Sequence, residues 1–153
     1  MHSAREKIQG VDVTQNLTYR IVLLASSLER SAGRVLPREA GISVAEWRVI
    51  SVIGSRPDIS FNALVQALEI DKGWISRTLA PLEKSGLVIR SPDPQDKRQF
   101  QLSLTESGKE LHLKGSGISR RRQRRLEAAF SPAELRNLES LLARLQKAAE
   151  ALE

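Results

Sequence analysis

Asp71-Lys72-Gly73-Trp74-Ile75-Ser76-Arg77-Thr78-Leu79-Ala80-Pro81-Leu82-Glu83-Lys84-Ser85-Gly86 is the stretch on which the fold turns. Asp71 is a good N-cap, and Gly86 is a helix stop. Ile75, Leu79 and Leu82 fall at i, i+4 and i+7, one apolar stripe. At about 100° per residue, Gly73, Arg77, Ala80 and Lys84 take the opposite face, with Trp74 and Ser76 at its edges. The helix is therefore apolar behind and small, polar or cationic in front. Pro81 fits badly, because its ring removes a backbone bond at a cost of about 3 kcal/mol. A kink near residues 77–80, or an early end to the regular helix, is expected.

Working outward, Leu64, Val65 and Leu68 recur at helical spacing, with Ser60 as cap for a preceding helix over 61–68. After Gly86, Leu87-Val88-Ile89 reads as a strand, and Phe100-Leu102-Leu104 alternates as its return partner. Between them lies Pro92-Asp93-Pro94-Gln95-Asp96-Lys97-Arg98, a polar tip rich in turn formers. Residues 60–104 thus read helix, turn, helix, strand, charged hairpin, strand. That shape suits double-stranded DNA. A major groove admits one helix with a polar edge, and a hairpin can place a cation against the backbone or in a minor groove.

These residues resemble the multiple antibiotic resistance regulator (MarR) family. The string from Ile70 to Leu79, then Leu82-Glu83-Lys84-Ser85-Gly86-Leu87-Val88-Ile89-Arg90, carries the likeness. So does Asp93-Pro94-Gln95-Asp96-Lys97-Arg98 followed by Leu102-Ser103-Leu104-Thr105-Glu106-Ser107-Gly108. The likeness covers nearly the whole chain. It implies a dimeric winged helix-turn-helix regulator, mostly α with a small β-wing. It also implies a dimer interface from the first, fifth and sixth helices, a wing in which Asp96 holds Arg98 in one rotamer, and a response to small ligands in many members. The expected organisation is a single domain over 1–153. Dimerisation helices occupy 1–40 and 105–153, and a winged-helix DNA-binding lobe occupies 41–104.

Composition narrows the classes. The chain has 153 residues, the size of one domain, and 41% are hydrophobic. There is no cysteine, so disulfides, thiolate nucleophiles and thiolate metal sites are excluded. Only His2 and His112 offer imidazole, which argues against a zinc site. The net charge of +6 favours an anionic partner. A basic but uninvolved surface is the competing reading. No apolar run nears the roughly 20 residues of a membrane span, and the start lacks a signal-peptide core. A cytoplasmic protein is expected. No phosphate-cradling glycine loop, paired-histidine motif or Ser/His/Asp signature points to an enzyme or a cofactor.

The rest of the chain reads in order. Residues 1–11 are polar, without a strong period. From Asp12 a helix is expected, with Leu17, Ile21, Leu24, Ala25 and Leu28 on one face, ending near Leu36-Pro37. Ser43 and Glu46 form a capping box for a second, largely apolar helix ended by Gly54-Ser55-Arg56-Pro57. Thr105 caps a helix whose buried side takes Leu111, Ile118, Leu126 and Phe130, weakened by Gly115 and Gly117. Ser131-Pro132 starts the last helix. Its stripe of Leu135, Leu138, Leu141, Leu142 and Leu145 has two candidate partners, a second copy of the chain or the preceding helix. The second copy is the economical answer.

The expected DNA contacts are Ser60, Lys72, Gly73, Trp74, Ser76, Arg77, Lys84, Arg90, Asp96, Lys97 and Arg98. Arg77 is the foremost candidate in the groove and Arg98 the candidate at the wing. Trp74 reads more readily as packing beneath the helix edge. The dimer interface is expected to include Leu17, Leu138, Leu141, Leu142 and Leu145. Tyr19, Arg20 and Trp47 have the right chemistry for a small anionic aromatic effector, although Trp47 on an apolar helix also reads as core. The run Arg120–Arg125 points all around its helix. It is expected to pair in part with acids of a partner subunit, a DNA contact being the lesser reading. A nucleoid-type DNA-binding protein without sequence preference, or a protein-interaction module, is the alternative function.

Overall fold

The computed structural model describes residues 12–94 and 99–152. Residues 1–11, His2 among them, lie outside the described residues. A short 3-10 turn at Val13–Gln15 leads into α1 (Leu17–Ala40). Then come α2 (Val44–Ser55), β1 (Ile59–Ser60), α3 (Phe61–Leu68), α4 (Lys72–Lys84), β2 (Val88–Pro92), β3 (Phe100–Leu104), α5 (Glu106–Glu127) and α6 (Pro132–Glu150). The chain is mostly helical with one small antiparallel sheet, ordered β1-β3-β2.

Side-chain caps set most helix starts, by giving orphan amides an acceptor. Ser43 and Glu46 form a reciprocal capping box at α2, and Ser131 and Glu134 do the same at α6. The Ser131 backbone N–H, and then its hydroxyl, hold the Glu134 carboxyl below its usual range. Ser60, Asp71 and Thr105 each accept from the amide three residues on.

At both prolines the helix runs further than an end at proline would allow. α1 does not end at Pro37 but continues to Ala40, where Gly41 at φ 72° closes it. Likewise α4 does not end early, and runs through Pro81 to Lys84. Both prolines lie near a helix end, so each forfeits one bond while the following turn closes normally. In α4 that closure is a Schellman motif. Gly86 donates to the Glu83 carbonyl at 3.0 Å and Leu87 to the Leu82 carbonyl at 3.0 Å. Gly86, at φ 69°, supplies the left-handed residue this motif requires.

The strand β1 is an addition to the expected hairpin. Ile59 faces Leu102 and Ser60 faces Gln101 on β3. The hairpin itself pairs Val88 with Leu104, Arg90 with Leu102 and Pro92 with Phe100. Its root enters the main core, where Val49, Ile50 and Ile53 of α2 meet Leu64, Ile75, Leu79, Leu82, Val88 and Leu102. A second, smaller cluster joins Ala32 and Leu36 of α1 to Ile118 of α5. Trp47 packs against both. Among the described residues no helix is long and apolar enough to cross a membrane.

α5 is anchored to the wing root at Gly108. A Cβ there would lie 2.0 Å from the Leu87 carbonyl oxygen, a backbone atom that cannot swing aside. Gly117 has open space around its Cβ position. Gly108→Ala should therefore destabilise the fold by about 3 kcal/mol, as overpacking does. Gly117→Ala should stabilise it by up to about 1 kcal/mol through helix propensity. Urea denaturation of the two variants checks the opposite signs.

Candidate nucleic-acid interface

α4 is held from behind and open in front. Ile75 and Leu79 are 0% exposed and Leu82 is 1% exposed. Lys72, Ser76, Arg77 and Lys84 are exposed on the other side. The carboxylate of Asp71 accepts from the Trp74 amide at 2.9 Å and fixes the first turn. A Cβ on Gly73 would lie 3.2 Å from Arg77 Nη1 and 3.0 Å from Asp71 Oδ1. The Arg77 side chain thus folds back over Gly73 towards the helix N-terminus, and glycine leaves it room. Trp74 is half-buried against the main core, in keeping with packing at the helix edge.

The turn into α4 needs no proline or glycine. Glu69 ends α3 in the left-handed region at φ 51°, and its amide donates to the Val65 carbonyl. Ser60 is half-buried, and its hydroxyl accepts from the Ala63 amide at 3.1 Å.

In the wing, Arg90 is already engaged. Its Nε donates to Glu83 Oε1 at 2.8 Å and its Nη2 to Glu83 Oε2 at 3.3 Å. The guanidinium carbon also sits 5.6 Å from the Phe100 ring centroid. This fork ties β2 to the last turn of α4. Sequence reading placed Arg90 among the phosphate contacts and did not find Glu83. Helical periodicity cannot relate residues on either side of a turn. Asp96, Lys97 and Arg98 lie outside the described residues.

Behind this face, α1, α2 and α5 enclose an open groove of about 510 Å³. Trp47 lines it, with Ala32 and Leu36 opposite and Arg48, Arg122 and Ser119 at its polar side. Trp47 also stacks on His112, with centroids 5.9 Å apart. It packs so tightly on α5 that a Cβ on Gly115 would lie 2.2 Å from its Cζ3. Tyr19 and Arg20 are exposed on the first turn of α1 and do not line this groove. Ala25 is the first α1 residue to do so. Arg48 and Arg122 are the two cations that line it. Arg48 pairs with Glu29 at 2.9 Å and Arg122 donates to the Leu28 carbonyl at 2.9 Å.

Within the arginine run, Arg121 pairs with Glu39 of α1 in its own chain. The two residues are 82 apart in sequence, beyond the reach of any local pattern.

A third surface is apolar. Leu17 is 60% exposed, Val22 59% and Leu24 60% on α1. On α6 no residue is buried, and Leu142 is 53% exposed. Leu138 and Leu141 are exposed and Leu145 is half-buried. Ile21, Val22, Leu142 and Leu145 line an open groove of about 610 Å³ between the two helices.

Comparison with known proteins meets this geometry. A family model described as MarR family matches residues 40–99. A MarR/EmrR family transcriptional regulator from Acinetobacter sp. ADP1 is 30% identical; the match covers 92% of this chain and 99% of that one, with a TM-score of 0.83. The homoprotocatechuate degradative operon repressor of Escherichia coli is 25% identical over 121 residues, which is 79% of this chain and 82% of the relative. S. aureus MepR, solved in complex with DNA, is 20% identical over 87% of this chain and 98% of its own; its TM-score of 0.81 is a likeness of fold. A chain with a cationic helix front beside a two-stranded wing, and with transcriptional regulators rather than enzymes as relatives, belongs to the MarR family of DNA-binding winged helix-turn-helix regulators.

Proposed function

We propose that the protein is a ligand-responsive repressor that acts as a homodimer on a pseudo-palindromic operator. The observation that carries this reading is α4, apolar and locked on one side, exposed and cationic on the other. Arg77 enters the major groove, with Lys72, Ser76 and Lys84 on the backbone or groove edge and Gly73 permitting close approach. Arg98, beside Asp96 and Lys97 in the sequence between β2 and β3, takes the neighbouring backbone or minor groove, as the family resemblance implies. Arg90 supports the wing through Glu83 and adds charge to the same face. Ser60 leaves the start of α3 facing a phosphate.

Dimerisation through residues 1–40 and 105–153 sets two 41–104 lobes side by side. Their recognition helices then lie roughly 34 Å apart, one DNA turn. The repressor role follows the Escherichia coli relative, whose name describes an operon repressor. The effector is a small anionic aromatic acid in the α1/α2/α5 groove. Trp47 offers it a ring face, and Arg48 and Arg122 offer guanidinium donors. Its carboxylate would displace Glu29 from Arg48 and move α1 relative to α2. That shift alters the separation of the two recognition helices and so the affinity.

The direct test is a footprint on the DNA upstream of the chain's own gene, with and without a panel of aromatic acids. A protected palindrome that opens with an acid supports the reading. Competition by bulk genomic DNA that erases all preference rejects it in favour of a nucleoid-type protein. Arg98→Ala should weaken binding on every sequence and lower the salt slope by about 1 per half-site. An unchanged slope would reject the wing assignment. Trp47→Ala should abolish thermal stabilisation by the active acid, normally RT ln(1 + [L]/Kd) or about 2.7 kcal/mol at a hundredfold excess over Kd.

A further inference from the structure

Two guanidinium groups share a single carboxylate on the outer side of α1 and α5. Arg38 pairs with Glu39 at 3.2 Å, and Arg121 pairs with the other oxygen of the same carboxylate. Arg122 and Arg125 line the same cleft, whose apolar floor is Val35 and Ile118. Arg122 donates to the Leu28 carbonyl; among the described residues Arg125 has no ion-pair partner. Four arginines therefore line a cleft that holds one carboxylate, and two of them pair with it. Such a cluster repels itself until another anion enters, and it concentrates negative ions from solution.

The cleft is not a continuation of the DNA face. α4 packs against α2 and β2, whereas the cleft is lined by residues of α1 and α5 alone. No residue of α4 or of the wing lines it. It also differs from the effector groove in its chemistry. No aromatic side chain lines it, and its volume is about 180 Å³. A drug-sized ligand takes about 300 Å³ or more. A phosphoryl or pyrophosphoryl group does not need that room, and it carries enough charge and oxygen acceptors to engage several guanidinium forks at once.

We propose that this α1/α5 cleft binds a small anion through one or two phosphoryl groups, of the pyrophosphate or nucleoside diphosphate class. Arg121 and Arg125, one turn apart on α5, grip it from one side, and Arg38 closes on it from α1. Glu39 is the resident competitor that keeps the empty cleft from being over-charged. Arg122 lines both this cleft and the effector groove, so an occupant draws on a guanidinium that the effector also uses.

The test is calorimetric titration of the full chain, without DNA, at fixed ionic strength. The probes are inorganic phosphate, pyrophosphate and ADP. One saturable site per protomer, filled better by pyrophosphate than by phosphate, is expected. Preference for ADP over pyrophosphate assigns a nucleotide, and the reverse assigns free pyrophosphate. The double variant Arg121→Gln/Arg125→Gln should weaken pyrophosphate by at least about tenfold, the loss of one charge-assisted hydrogen bond. Glu39→Gln should tighten it by about two- to fivefold, the worth of one exposed ion pair. Arg77→Ala should leave it unchanged. Circular dichroism shows that each variant is folded. Binding that survives in the double variant, that vanishes in Arg77→Ala, or that never saturates overturns the proposal. None of these readings depends on an operator or on an aromatic effector.

Discussion

Leu142→Glu is expected to leave a folded monomer whose affinity for operator DNA is lower by about a thousandfold or more. Leu142 is 53% exposed on a helix that buries no residue of its own, beside the groove that it shares with Ile21 and Val22. Burying such a leucine is worth about 1.5–3 kcal/mol. A two-fold interface counts each change twice, and an unpaired carboxylate placed there costs more than the lost contact. The loss therefore reaches several kcal/mol per dimer. The fold should survive, because the core clusters draw nothing from α6. The DNA consequence follows from geometry rather than from any lost DNA contact. One recognition helix alone approaches the non-specific range of about 10⁻⁴–10⁻⁶ M, where a specific regulator reaches about 10⁻⁸–10⁻¹¹ M. Light scattering coupled to gel filtration reads the mass, and fluorescence anisotropy on the footprinted site reads the affinity. A variant that remains dimeric, or a monomer that binds as well as the parent, removes the role given to α1 and α6.

What could be read in advance was local. Ser43, Ser60, Asp71, Thr105 and Ser131 announce five helices because a cap acts over three residues, and all five helices start there. The apolar stripe of α4 was legible for the same reason. β1 was not, because two residues are too few to show alternation and its partner lies forty positions away on β3. Gly115 read as a weakness in α5, yet the absent side chain is what lets the Trp47 ring lie against the helix. Propensity measures a residue against solvent and cannot see a neighbour brought in by the fold. The same limit hid Glu39 from Arg121 and Glu83 from Arg90. Nor could propensity show that on α1 only positions from Ala25 onward line the groove beside Trp47.

Arg77→Ala should lower operator affinity by about 2–6 kcal/mol per dimer, from about 1–3 kcal/mol at each half-site. In binding constants this is roughly thirtyfold to more than ten-thousandfold. The side chain is exposed and has no ion-pair partner among the described residues, so its removal leaves no stranded charge in the protein. Ile75 and Leu79, which hold the helix, are untouched, and thermal stability should change little. The decisive comparison is Arg77→Lys. A lysine keeps the charge but lacks the planar fork that matches two acceptors on guanine. If Arg77 reads a base, lysine restores the salt slope lost in the alanine variant but not the preference for operator over scrambled sequence. If Arg77 only holds a phosphate, lysine restores both, and base readout must fall to Lys72, Ser76 or Lys84. Gly73→Ala adds a third point. A methyl group 3.2 Å from Nη1 and 3.0 Å from Asp71 Oδ1 makes the folded-back guanidinium and the capping carboxylate give by a few tenths of an ångström without altering charge. Base preference should then fall while the salt slope holds, because position rather than charge is what the glycine provides.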